Sequence, residues 1–106
     1  GRGEGEGFNL NLPLPRGTAI DDYRGALAKA LRRVGDFAPE ILVVAAGLDI
    51  AVDDPFKGFA IATPDFTTIG RDIAGLNLPL LVVQEGGYPS PSLGGNLAAL
   101  LEGLRS

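Results

Sequence analysis

A chain of 106 residues with 45% hydrophobic and 21% charged side chains fits one compact domain or part of one. Its net charge of -4 and its nine scattered Lys and Arg exclude a nucleic-acid footprint, and its short apolar runs, broken by Gly, Asp or Pro, exclude a membrane span or a signal-peptide core. The chain has no Cys, which excludes disulfides and thiolate metal sites and fits a cytoplasmic location, and no His, which removes the commonest general base near neutral pH and the commonest zinc ligand.

The opening Gly1-Arg2-Gly3-Glu4-Gly5-Glu6-Gly7 is too rich in Gly to start a helix or a central strand. A phosphate loop would lead into a helix, whereas this run carries two Glu and leads into a Pro-terminated segment. The alternation Phe8-Asn9-Leu10-Asn11-Leu12 predicts a short edge strand, ended by Pro13 and Pro15 because neither donates a backbone N–H. Thr18 and Asp21 form a cap-like start, and Tyr23, Leu27, Ala30, Leu31 and Val34 share one face of a helix expected over residues 19–35 and closed by Gly35. Lys29, Arg32 and Arg33 fall toward its C-terminus, where the helix dipole favours positive charge.

Ile41-Leu42-Val43-Val44-Ala45-Ala46 is a continuous apolar run, the mark of a parallel-sheet strand buried on both faces. After a polar loop, Thr63-Pro64-Asp65 offers an N-cap with Pro at the first helical position, and Phe66, Ile69, Ile73 and Leu76 supply a buried stripe. Leu80-Leu81-Val82-Val83 is a second buried strand, and Leu93, Leu97, Leu100, Leu101 and Leu104 mark a last amphipathic helix. Strand, helix and strand at these lengths make a βαβ unit, so the fold class is α/β with a parallel sheet. Residues 1–106 are expected to be a single partial domain, and the mean hydropathy of +0.20 hints at a flank left bare.

Open parallel sheets place their sites at the carboxyl ends of the strands, so the loops beginning at Gly47 and at Glu85 open on one edge. Asp49, just past the first strand, is suited to hold a divalent cation, but on spacing alone the commoner reading is that it caps a turn and that Asp54-Pro55 is turn chemistry. Gly86 and Gly87 let backbone approach a ligand, and Tyr88 follows with a phenol that can donate to an oxyanion, the alternative being a Gly-Gly turn with a surface Tyr.

Taken together, Gly47-Leu48-Asp49 with Asp54-Pro55, the segment Thr63-Pro64-Asp65-Phe66, and Leu81-Val82-Val83-Gln84-Glu85-Gly86-Gly87-Tyr88 resemble the closing third of the histone deacetylase and acetylpolyamine amidohydrolase superfamily. The run from Gly3 to Pro15 resembles the same family, so the likeness covers essentially the whole chain in order. Gly47-Leu48-Asp49 without a following Ala-His, Asp65-Phe66 and the exit Tyr88-Pro89-Ser90-Pro91 are most similar to its acetylpolyamine amidohydrolase branch.

The resemblance implies the C-terminal part of an arginase/deacetylase-like three-layer fold belonging to a zinc-dependent amidohydrolase that deacetylates acetylated amines. It implies that Asp49 is one of three zinc ligands, that Tyr88 is the catalytic phenol, and that Gly86 and Gly87 line the substrate pocket. The family's other two ligands, in an Asp-x-His arrangement, and its His-His pair have no counterpart here, so the chain alone is expected to be inactive and to bind zinc poorly. The alternative is a non-catalytic α/β binding or interaction module on the same scaffold. Expected partners are an acetylated amine substrate in the complete enzyme, no nucleic acid and no membrane, with a homo-oligomer and a complementing second chain left as alternatives.

Overall fold

Two parallel strands, β1 (Leu42–Ala46) and β2 (Leu80–Gln84), pair in register from Leu42↔Leu80 to Ala46↔Gln84 in the computed structural model, which describes all residues from Gly1 to Ser106. Parallel neighbours cannot be joined by a tight turn. The connection instead crosses over through a helix, α2 (Thr63–Ala74), while α1 (Ile20–Phe37) precedes β1 and α3 (Leu93–Leu104) follows β2. No helix is long and apolar enough to cross a membrane.

Helix α1 turns Ile20, Tyr23, Leu27 and Leu31 onto the core, as their spacing requires. Its expected boundaries shift at both ends. Thr18 does not cap it, because its hydroxyl turns back to donate to the Pro15 carbonyl (2.7 Å), and Ala19 occupies the cap position. Nor does Gly35 stop it: the helix runs on to Phe37, and Ala38 ends it at a left-handed φ of 54°. Phe37 has a reason to stay helical, since its ring packs edge-on against Phe8 with centroids 6.2 Å apart.

That contact also corrects the edge strand expected at Phe8–Leu12. These residues form no strand, because alternation needs a neighbouring ladder to pair with, and the chain here runs instead across α1. Further on, the same segment does find backbone partners: Gly17 N–H donates to the Gly58 carbonyl and Ala60 N–H to that of Thr18.

Helix α2 begins at Thr63 rather than after it, and the Asp65 carboxylate accepts the N–H of Ala62 (2.9 Å), half of a capping box. Phe66, Ile69 and Ile73 are buried and meet Ala46, Leu48, Ala51, Ile61 and Leu100 in one core. Each large side chain there contributes about 1.5–3 kcal/mol by leaving water. Helices α2 and α3 touch backbone to backbone, because Gly70 and Gly103 face each other: a methyl group at Gly70 would lie 2.5 Å from the Leu100 carbonyl oxygen.

The strands are not buried on both faces as the apolar runs suggested. Leu42, Val44, Leu80 and Val82 turn to the core, whereas Val43 (57% exposed), Leu81 (56%) and Val83 (41%) stand on a bare face. The sheet of this chain has helices on one side only, so one half of each apolar run has nothing to pack against.

Candidate active site

Because β1 and β2 are parallel and in register, both end at the same edge of the sheet. β1 leads through Gly47 into a single 3-10 turn, Leu48–Ile50, which presents Asp49. β2 leads into Glu85-Gly86-Gly87-Tyr88. The ladder continues past the strands, with Glu85 N–H donating to the Ala46 carbonyl and Leu48 N–H to the Gly86 carbonyl, both at 2.9 Å. Two loops distant in sequence are thereby laced into one surface.

Asp49 sits half-buried against the second loop. A methyl group at Gly86 would fall 2.6 Å from Asp49 Oδ1, and one at Gly47 would fall 2.9 Å from the same atom. Only glycine leaves room for the carboxylate at both positions. Asp53, Asp54, Asp65 and Asp72 each accept hydrogen bonds from the chain, whereas Asp49 accepts none. A half-buried carboxylate with open lone pairs is a ready ligand for a cation.

Gly87 has a φ of +135°, and a methyl group there would lie 3.1 Å from both Leu48 Cβ and Leu93 Cδ1, so position 87 demands glycine on conformational and packing grounds alike. Tyr88 is 41% exposed, and its ring packs edge-on against Phe56 with centroids 4.7 Å apart. The structure therefore brings Asp49, Gly86, Gly87 and Tyr88 to one sheet edge on two interlocked loops.

Sequence reasoning missed three further features of this edge. Tyr23 of α1 reaches in, its ring 6.1 Å from that of Phe59; burial pushes its phenol above the ordinary value, and the negative charge of Asp49 adds to the effect. The signal was a phenol on an otherwise aliphatic stripe, since a buried Tyr carries its hydroxyl toward polar ground. Asp53 accepts from the Ser92 hydroxyl (2.6 Å) and backbone N–H (3.2 Å) at the start of α3. Asn96, 1% exposed, donates to that hydroxyl (3.0 Å) and accepts from Thr63 (2.6 Å). Asp54 is a turn residue, its buried carboxylate accepting the N–H of Phe56 at 2.9 Å.

No group of three or more His, Cys, Asp or Glu is placed to hold a metal ion. A catalytic zinc ordinarily has three protein ligands, so this chain's residues do not by themselves fit one, and Asp49 is a single candidate donor. Two surface hollows lie elsewhere, one of about 650 Å³ between α1 and α2 and one of about 510 Å³ beside Phe8, and neither is lined by Asp49 or Tyr88.

Residues 1–104 match the histone deacetylase domain family. The chain is 42% identical over 104 residues to an acetylpolyamine amidohydrolase of Mycoplana ramosa, covering 98% of this chain and 30% of that protein. It is 40% identical over 103 residues to acetylpolyamine amidohydrolase 1 of Pseudomonas aeruginosa, covering 97% of this chain and 30% of the relative. Among solved structures, an acetylpolyamine aminohydrolase of Burkholderia pseudomallei superposes with a TM-score of 0.94 at 40% identity, over 100% of this chain and 31% of that one. The chain thus spans about 30% of the length of the curated relatives it matches.

Proposed function

The chain belongs to the histone deacetylase domain family, and from that membership we propose that it is the segment of a zinc-dependent amidohydrolase that carries one metal ligand and the oxyanion-stabilising phenol. The observation that carries this reading is the interlocking of the Asp49 and Tyr88 loops at the carboxyl edge of the parallel pair. The proposed substrate is an acetylated amine of the acetylpolyamine or acetyl-lysine type, by analogy with the names of the relatives.

In this role Asp49 supplies one carboxylate oxygen, for which Gly86 and Gly47 leave room. The remaining ligands and the acid/base His pair come from sequence outside this chain, which has no His. Zinc, when bound, supplies Lewis acidity and lowers the pKa of water. Tyr88 donates a hydrogen bond to the oxygen of the scissile carbonyl as negative charge develops there, and Gly86 and Gly87, on the same loop, line the proposed pocket beside it. The location proposed with this reading is the cytoplasm.

The purified chain should hydrolyse no acetylated lysine or polyamine, with or without added zinc. Turnover that a chelator abolishes would overturn the division of the site. A coding sequence that joins this segment to His-His and Asp-x-His elements supports the enzyme reading. A stand-alone coding sequence without them favours a binding module on the same scaffold.

A further inference from the structure

The two loops are symmetric about their tether. Asp53 lies four residues after Asp49, Ser92 lies four residues after Tyr88, and Asp53 accepts both the hydroxyl (2.6 Å) and the backbone N–H (3.2 Å) of Ser92. Ser92 is the residue before α3, where the first N–H groups lack intrahelical partners. Its own side chain does not cap the helix, and a carboxylate from the other loop receives its N–H instead, at the end where the dipole favours negative charge. Behind it, buried Asn96 donates to Ser92 Oγ and is held by Thr63 at the start of α2. The Tyr88 segment is thus fastened to the Asp49 loop on both sides: before it by Leu48 N–H to the Gly86 carbonyl, after it by Asp53, with the Phe56 ring against Tyr88 between them.

We infer that Asp53 and Ser92 are positioning residues, a clasp that sets where the Tyr88 phenol stands relative to Asp49. The inference rests on the reading of those two loops as one site. Without the clasp, the Leu48–Gly86 hydrogen bond and the Phe56 ring still hold the near side of Tyr88, but the Pro89-Ser90-Pro91 side loses its tie to the Asp49 loop, and the phenol can shift from the carbonyl it must meet. A displacement of about 1 Å is enough to cost rate without costing binding.

The test uses the polypeptide that joins this segment to the rest of the family domain, a monoacetylated diamine as probe, and the variants Ser92→Ala, Ser92→Thr and Asp53→Ala. Ser92→Ala and Asp53→Ala are expected to lower kcat about tenfold or more, leave KM within about twofold, and weaken the nuclear Overhauser contact between the Tyr88 and Phe56 rings. Ser92→Thr, which keeps the hydroxyl, restores both. Unchanged kcat and ring contact in Ser92→Ala would overturn the clasp, as would losses that Ser92→Thr does not restore. If the wild-type polypeptide hydrolyses no acetylated amine, the enzyme reading fails, and the ring contact still decides the clasp by itself.

Discussion

Position 86 shows how tightly single residues define the site. A methyl group there would lie 2.6 Å from Asp49 Oδ1, 2.7 Å from Cγ and 2.8 Å from Oδ2, so Gly86→Ala must displace the carboxylate. In the joined polypeptide this change should weaken zinc binding about tenfold or more, as for other groups that orient a ligand. Gly94→Ala, which meets nothing within 4 Å, should leave the metal content unchanged, and zinc analysis of the two variants checks both. Tyr23 gives a pH signature. Its folded pKa is raised by burial and then by Asp49, so the neutral phenol stabilises the fold below the ordinary value of about 10, and that stability is lost as pH rises through the folded pKa. Melting curves from pH 8 to 11 should show the metal-free chain losing stability on the alkaline side that Tyr23→Phe retains. That Asp49 and Tyr88 share one sheet edge was legible in the sequence, because each lies a few residues past an apolar strand, whereas the roles given to them came from the family resemblance and not from spacing. The Tyr23 and Ser92 contacts were not, because they depend on which loop meets which, and spacing along the chain carries no record of that.

The helices were legible where packing obeys a single period. Tyr23, Leu27 and Leu31, and Phe66, Ile69 and Ile73, face the core as their spacing requires. The ends were less so: Gly35 and Thr18 carry the residue types of a stop and a cap, but Phe37 gains a ring contact by staying helical and Thr18 has a nearer carbonyl. The crossing of α2 and α3 was hidden too, since Gly70 and Gly103 resemble any helical glycine until the partner helix is in place. A methyl group at Gly70 would sit 2.5 Å from the Leu100 carbonyl oxygen and 2.8 Å from Leu104 N, backbone atoms that cannot rotate away. Gly70→Ala and Gly103→Ala should therefore each cost about 1–3 kcal/mol or more in denaturant unfolding. Gly25→Ala, on an open part of α1, should instead stabilise by up to about 1 kcal/mol, since alanine restricts the unfolded chain and favours helix. Equal effects at the three positions would contradict the crossing.

At the scale of the whole molecule the α/β class and the parallel pair were legible in the strand, helix, strand order, whereas the burial on both faces read from the apolar runs is not found in this chain. An apolar run records that a strand belongs in a covered sheet without saying which chain provides the cover. Here only 13 of 106 residues are buried, while Ile41, Val43, Leu81 and Val83 share the surface, so the chain has more apolar face than core to match it. The isolated chain should self-associate, and Val43→Lys with Leu81→Lys should shift its sedimentation toward monomer; a clean wild-type monomer with cooperative unfolding would point to a self-sufficient module. The site reading makes its own demand on the whole, because a single carboxylate and a phenol act only within a larger constellation. The most direct measurement is zinc content and turnover together, in the joined polypeptide, for Asp49→Ala and Tyr88→Phe. Asp49→Ala should lose the metal, whereas Tyr88→Phe should keep it and lose about two orders of magnitude in turnover, as for removal of one oxyanion donor. Full metal occupancy in Asp49→Ala, or undiminished turnover in Tyr88→Phe, would contradict the assignment of the two loops to one active site.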